Sequence, residues 1–135
     1  MIIDAEGAIL GRLASRVAKM ILSGEEVIIV NAEKVVISGQ PKSICDEYHD
    51  RRARGSAHHG PFYPRYADRM LWRTIRGMIP YKKAKGRDAL KRLKIYVGKP
   101  DRYKDAQKIV KTKDKLRCKS ITLNDISKYL GAKVG

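Results

Sequence analysis

The chain has 135 residues, 43% of them hydrophobic, which fits a single folded domain over residues 1–135 and excludes a disordered tail. It carries 30 Lys and Arg against 14 Asp and Glu, a net charge of +16, and that much self-repulsion points to a polyanionic partner, nucleic acid or an anionic membrane. No apolar run approaches ~18 residues and Met1-Ile2-Ile3-Asp4 lacks a signal-peptide layout, so neither a membrane span nor secretion is expected.

In chain order, Ile2-Ile3 reads as a short strand. After Gly7, Leu10, Leu13, Ala14, Val17, Ala18 and Ile21 recur at helical spacing, with Arg12, Arg16 and Lys19 on the opposite face. Ser23-Gly24 is a natural stop, because glycine accepts the left-handed cap conformation. Val27-Ile28-Ile29-Val30 is a continuous β-branched run, the pattern of a strand covered on both faces. Strand, helix and buried strand predict a right-handed βαβ unit. Val35-Val36-Ile37 is a further strand, and Ser38-Gly39-Gln40-Pro41 turns the chain into a helix through Tyr48.

From Asp50 to Arg65 the periodicity fails in a basic loop punctuated by Gly55, Gly60 and Pro61, with His58-His59 read as small side chains on a flexible segment. Periodicity returns from Ala67 to Met78. There Ala67, Leu71, Thr74 and Met78, flanked by Met70 and Ile75, form an apolar stripe, and Arg69, Arg73 and Arg76 form an outward patch on the reverse. Asp68 sits at the boundary. A short helix over about Asp88–Leu93 leads into Leu93, Ile95 and Val97, which alternate with Lys94 and Tyr96 as in a half-buried strand. Thr122 with Asp125 makes a capping-box-like start for a last helix through Leu130. Nothing repeats internally.

Gly7-Ala8-Ile9-Leu10-Gly11-Arg12-Leu13-Ala14-Ser15, then Val30-Asn31-Ala32-Glu33 and Ser38-Gly39, resemble the opening of the family of ribosomal protein thirteen of the large subunit. Arg76-Gly77-Met78-Ile79-Pro80 with Lys83 and Gly86 resembles that family's central motif, and Leu93-Lys94-Ile95-Tyr96-Val97-Gly98-Lys99-Pro100 its next strand. The resemblance implies an α/β fold, three-layer α/β/α around a mostly parallel four-stranded sheet, with a basic loop over about 50–66 and a C-terminal flank over about 101–135. It also implies direct binding to large-subunit ribosomal RNA, a part in early subunit assembly, and neighbours among the large-subunit proteins in the cytoplasmic ribosome. The loop at Arg51–Pro64 and the short C-terminus are closer to archaeal and eukaryotic members than to bacterial ones.

The charge distribution independently picks out a contact surface. Residues 1–50 are net −3, residues 51–94 net +12 with only Asp68 and Asp88 as acids, and residues 95–135 net +7. Lys and Arg neutralise phosphates, and Arg also stacks on bases and forks onto phosphate. The candidate rRNA-binding residues are therefore Arg51, Arg52, Arg54, His58, His59, Arg65, Arg69, Arg73, Arg76, Lys82, Lys83, Lys85, Arg87 and Lys91. Tyr63, Tyr66, Trp72 and Tyr81 are interleaved among them, as base-stacking rings or as core.

Other chemistries are poorly served. Gly7-x-x-x-Gly11-Arg12 has neither the dinucleotide nor the P-loop spacing, even with Glu33 placed to imitate a ribose-binding acid; its glycines read as a tight turn and close helix–sheet packing. Cys45, His49, His58 and His59 lack zinc-site spacing, and Cys45 and Cys118 read as free thiols of a reducing cytosol. No catalytic residue, metal, cofactor or small-molecule substrate is expected. A membrane-surface role would need apolar aromatics on an exposed basic helix, and the chain has one Trp and one Phe.

Overall fold

The computed structural model describes residues 1–110, 112 and 116–133, so the parts of the C-terminal flank at 111, 113–115 and 134–135 lie outside the described residues. The opening follows the apolar pattern. Strand β1 (Ile2–Asp4) leads through a turn at Gly7 (φ +71°) into helix α1 (Leu10–Leu22), and strand β2 (Val27–Val30) follows. All six inward residues of α1 are buried, and Gly24 (φ +101°) ends it as expected. At the other expected glycine the structure differs. Gly11 packs against nothing, for a Cβ there would meet no atom within 4 Å.

Beyond β2 the chain bends at Asn31, a buried residue in the left-handed conformation (φ +59°), whose Nδ2–H donates to Asp4 Oδ1 at 2.9 Å. Burial pushes the Asp4 carboxyl up, but this bond, the Glu6 amide and the charges of Lys108 and Lys99 outweigh it and hold the pKa below its usual range. A 3₁₀ turn over Ala32–Lys34 then delivers strand β3 (Val36–Ser38) and helix α2 (Pro41–Ala53). Helix α3 (Ala67–Arg76), helix α4 (Ala84–Lys91), strand β4 (Leu93–Ile95), strand β5 (Ser120–Thr122) and helix α5 (Leu123–Tyr129) complete the order. The Thr122 Oγ1 caps α5 by accepting from the Asp125 amide at 3.2 Å, as the sequence predicts.

The α/β class holds, but the strands divide differently from a single four-stranded sheet. β1, β2 and β4 form a parallel sheet in that order, with Ile3, Ile29 and Ile95 in register. β3 instead pairs antiparallel with β5, Ile37 opposite Ile121. The turn at Asn31 explains the division. It carries β3 away from β2, so that the Val36 amide donates to Ala8 O and a bridge from Ile9 to Val36 joins β3 to the segment before α1. Gln107 closes the outer edge of β1, accepting from Asp4 N–H at 2.9 Å and donating to Ile2 O at 3.1 Å.

Ile3, Val27, Ile29 and Leu93 bury one sheet face, and α1 packs with α3 and α4. On the other face Val30 is buried, Ile2 and Ile28 are half-buried and Lys94 is exposed, so β2 is covered less evenly than its composition predicts.

Four boundaries also shift. α2 runs five residues past Tyr48 and absorbs the start of the expected loop, because Arg51 pairs with Glu47 one turn back and lies 5.0 Å over the Tyr48 ring. α3 ends at Arg76, and the chain tightens into i→i−3 bonds from Met78 to Ile75 and from Ile79 to Arg76. That tightening buries Ile79 and leaves Met78, expected in the stripe, 45% exposed. Likewise α4 begins at Ala84, and β4 stops at Ile95 with Val97 54% exposed, since Gly98 (φ +75°) turns the chain.

Gly86 fixes the start of α4. A Cβ at this buried position would lie 2.1 Å from Pro80 O and 2.8 Å from Tyr81 N, both backbone atoms. Gly86→Ala should therefore force the 80–83 turn off the helix and cost about 1–3 kcal/mol of unfolding free energy. Gly11→Ala, with open space around it, should be neutral or stabilising by up to ~1 kcal/mol. Urea unfolding of both variants checks the contrast.

Candidate nucleic-acid interface

The basic middle of the chain is built on the end of α2, the segment linking it to α3, α3 itself and the turn into α4. Arg51 and Arg52 sit on the last turn of α2 rather than in a loop. The segment that follows closes into a hydrogen-bonded turn. Ser56 N–H donates to Gly60 O at 3.3 Å, Gly60 N–H to Ser56 O at 2.9 Å, and His59 N–H to Ser56 Oγ at 3.1 Å. Gly55 (φ +88°) makes the crossing possible, since a Cβ there would meet Gly60 O at 2.2 Å. His58, His59 and Arg54 stand exposed on it.

Two arginines hold the outgoing limb. Arg52 donates to Tyr63 O at 3.2 Å from α2, and Arg73 donates to Phe62 O at 3.0 Å from α3. The rings extend the same link. Tyr48 and Tyr63 meet edge to face at 5.8 Å, and the Arg73 guanidinium lies 5.5 Å from the Tyr63 centroid. Tyr48 is buried, which pushes its hydroxyl up to about 12. One turn on, the Arg76 guanidinium lies 4.6 Å from the Tyr81 centroid and 5.8 Å from Trp72, its Nε buried without an acceptor. Arg65 lies 5.6 Å over Tyr66. A ring engages the face of a guanidinium and leaves its in-plane N–H groups free to fork onto an anion.

The patch expected on the reverse of α3 is therefore only partly outward. Arg69 is exposed, whereas Arg73 and Arg76 are half-buried on rings of their own chain. A helical wheel fixes where a side chain leaves the backbone, not where a long one folds back. Tyr63, Trp72 and Tyr81 pack against the core, which decides their open alternative. Tyr66 stays 41% exposed.

Past Tyr81 the charge continues on Lys82, Lys83, Lys85, Arg87 and Lys91, all exposed, with Arg87 donating to Lys82 O at 2.9 Å. Contacts thus connect Arg51, Arg52 and Arg73 through Tyr48, Tyr63 and Phe62, and Arg76 through Tyr81 to Lys82 and Arg87. They do not tie the side chains of Arg54, His58, His59, Arg65, Arg69, Lys83, Lys85 or Lys91 into that chain. Among the described residues, only Arg51 and Lys91 of the fourteen candidates lie within 4.0 Å of a carboxylate, Glu47 and Asp88. Within the described residues the strip's charge is therefore largely uncompensated.

The sequence reading missed Phe62, which is 67% exposed and lines a cavity of about 390 Å³ with Arg52 and Arg54. Its signal was a lone Phe between two prolines inside a basic run. Arg12 and Arg16 on α1 line a second cavity of about 380 Å³, where Arg16 donates to Ile109 O at 2.6 Å.

Glu33 accepts from the Gly98 amide at 2.8 Å and so serves the fold, not a ribose. Cys45 and Cys118 are free, and burial raises the Cys45 thiol pKa. Among the described residues no three His, Cys, Asp or Glu side chains gather as a metal site, and no helix is long and apolar enough to cross a membrane.

Comparison with known proteins converges on one family. Residues 1–102 match the family described as Ribosomal protein L13. The chain is 52% identical over 136 residues to the large ribosomal subunit protein uL13 of Methanococcoides burtonii, covering 98% of both chains. It is 53% identical over 137 residues to the proteins of the same name from Methanosarcina barkeri and Methanocaldococcus jannaschii, again covering 98% of each. These relatives are archaeal, as the resemblance implied.

Proposed function

The chain belongs to the ribosomal protein L13 family, a structural ribosomal component rather than an enzyme, and from that premise we propose that all 135 residues act as one domain that binds large-subunit rRNA directly and supports early subunit assembly. The observation that carries this reading is the strip from Arg51 to Arg87, in which Arg51, Arg65, Arg73 and Arg76 are pre-positioned on rings and, among the described residues, acidic partners are nearly absent. Pre-positioning reduces the side-chain entropy cost of binding, and the missing acids leave phosphate as the natural counter-charge. The strip acts by position and charge, so it needs no cofactor. Neighbouring large-subunit proteins would meet the surfaces that the RNA leaves uncovered.

The test is direct binding to protein-free large-subunit rRNA, with co-sedimentation of the full chain on large-subunit particles. If the strip covers about six to ten phosphates, affinity should fall by roughly 10³–10⁵-fold between ~50 and ~200 mM salt. A flat salt response would overturn the electrostatic reading. Failure to bind rRNA until other proteins are loaded would remove the early-assembly role.

A further inference from the structure

Resting on the RNA-binding reading above, we propose that Tyr96 and Tyr103, with Arg102 against both rings, form a stacking platform for one unpaired RNA nucleotide, on elements that the Arg51–Arg87 strip does not use. The rings lie 5.5 Å apart with their planes tilted by 32°. The Arg102 guanidinium is 5.7 Å from the first centroid and 4.9 Å from the second, and Arg102 Nη2 is 3.4 Å from the Tyr96 hydroxyl.

The backbone under this cluster is fixed from several directions. Tyr96 N–H donates to Ile29 O at 2.8 Å and Ala32 N–H to Tyr96 O at 3.2 Å, extending the β2–β4 pairing past the strand. Asn31 N–H donates to Gly98 O, and Gly98 N–H to Glu33 Oε2, both at 2.8 Å. A 3₁₀ turn over Asp101–Tyr103 then carries Arg102 and Tyr103, closed by Tyr103 N–H on Pro100 O at 2.9 Å. Such a base holds its side chains without help from a ligand.

What the rings do not do is equally informative. Tyr48, Tyr63, Trp72 and Tyr81 pack on the hydrophobic core, whereas Tyr96 and Tyr103 do not. Both are half-buried, in contact with each other and with Arg102, and part of each side chain remains exposed. The surrounding charge selects the class of partner. Lys94, Lys99 and Lys104 are exposed in the same stretch of chain, against Asp101 and, just past it, Asp105. Aromatic faces stack on a base, while the lysines match the phosphates on either side of it. A duplex hides its base faces, so the nucleotide must be unpaired. Every base has such a face, so the platform should accept all four. An apolar protein segment would find little here, since Val97 is the one large exposed aliphatic side chain in this stretch.

The test measures binding of the full chain, at fixed salt, to a short unstructured RNA strand and to an RNA duplex of the same length. Y96L/Y103L should weaken the single strand about 10- to 100-fold, the loss expected for one stacked base, and leave duplex affinity and salt slope unchanged. Y96F/Y103F keeps both rings and should bind like the wild type. Y96L/Y103L loses the two Arg102–ring contacts and should unfold at a slightly lower temperature while staying folded in the assay, whereas Y96F/Y103F, which keeps both rings, should unfold close to the parent. Equal loss on strand and duplex, or no loss on either, would overturn the platform. If Y96L/Y103L changes nothing while Arg52→Gln with Arg73→Gln still weakens the duplex, the platform fails and the basic strip stands. A wild-type chain that binds neither RNA sinks both.

Discussion

Truncating Ile75 to Ala should lower the unfolding free energy by about 2–5 kcal/mol, the cost of deleting fully buried methylene and methyl groups and leaving a cavity. Ile75 is completely buried on α3, in the core cluster with Met70 and Leu71, and α3 packs directly on α1. α1 is hydrogen-bonded to the chain leaving α4, since Arg92 donates to Ile21 O at 2.8 Å. The cavity would therefore open under the element that carries Arg69, Arg73 and Arg76, and it has little freedom to collapse. A loss of that size is a large part of the stability of an ordinary small domain. Urea unfolding should show a lower midpoint at unchanged slope, and ribosomal incorporation in cells should fall with the folded fraction. Met78→Ala is the control, because Met78 is 45% exposed and should change stability by less than ~0.5 kcal/mol. A larger loss at Met78 than at Ile75 would mean that the periodic stripe had indicated the packing correctly and the turn after Gly77 is misplaced.

The contrast between those residues shows what the sequence could reveal. α1 was legible because its six apolar positions repeat with one period and a glycine ends them, so local pattern and tertiary packing agree. Thr122 and Asp125 were legible for a similar reason, a cap being a contact between near neighbours. The division into two sheets was not. It depends on Ile37 meeting Ile121 and on Asn31 adopting a left-handed conformation, and neither leaves a periodic trace. The end of α2 was hidden because Arg51-Arg52-Ala53-Arg54 reads as loop composition, while the Glu47 pair and the Tyr48 ring continue the helix. In the site, net charge named the segment, but it could not tell arginines folded onto rings from arginines standing free.

That distinction sets the last expectation. Simultaneous change of Arg69, Arg73 and Arg76 to Gln would relieve like-charge crowding, and on charge alone the fold should gain slightly. The side-chain interactions reverse that sign. Arg73 gives up its bond to Phe62 O, about 1 kcal/mol net. Arg73 and Arg76 also give up their cation–π interactions, each worth about 0.5–1 kcal/mol where solvent reaches them. The triple variant should thus be less stable by about 2–3 kcal/mol, with loosening concentrated in the Phe62–Tyr63 segment that Arg73 ties to α3. Hydrogen exchange there should rise before the core responds. Arg69→Gln alone, at an exposed position outside these interactions, should leave stability within ~0.5 kcal/mol. On RNA the ranking changes. Arg69→Gln should reduce the salt slope by about one unit, and the triple change by up to about two or three, one for each phosphate no longer neutralised. A triple variant as stable as its parent would show that the rings contribute nothing to holding the strip. A folded triple variant with an undiminished salt slope would show that these arginines serve the fold alone, and the phosphate-binding groups would then have to be sought on α4 and the loop.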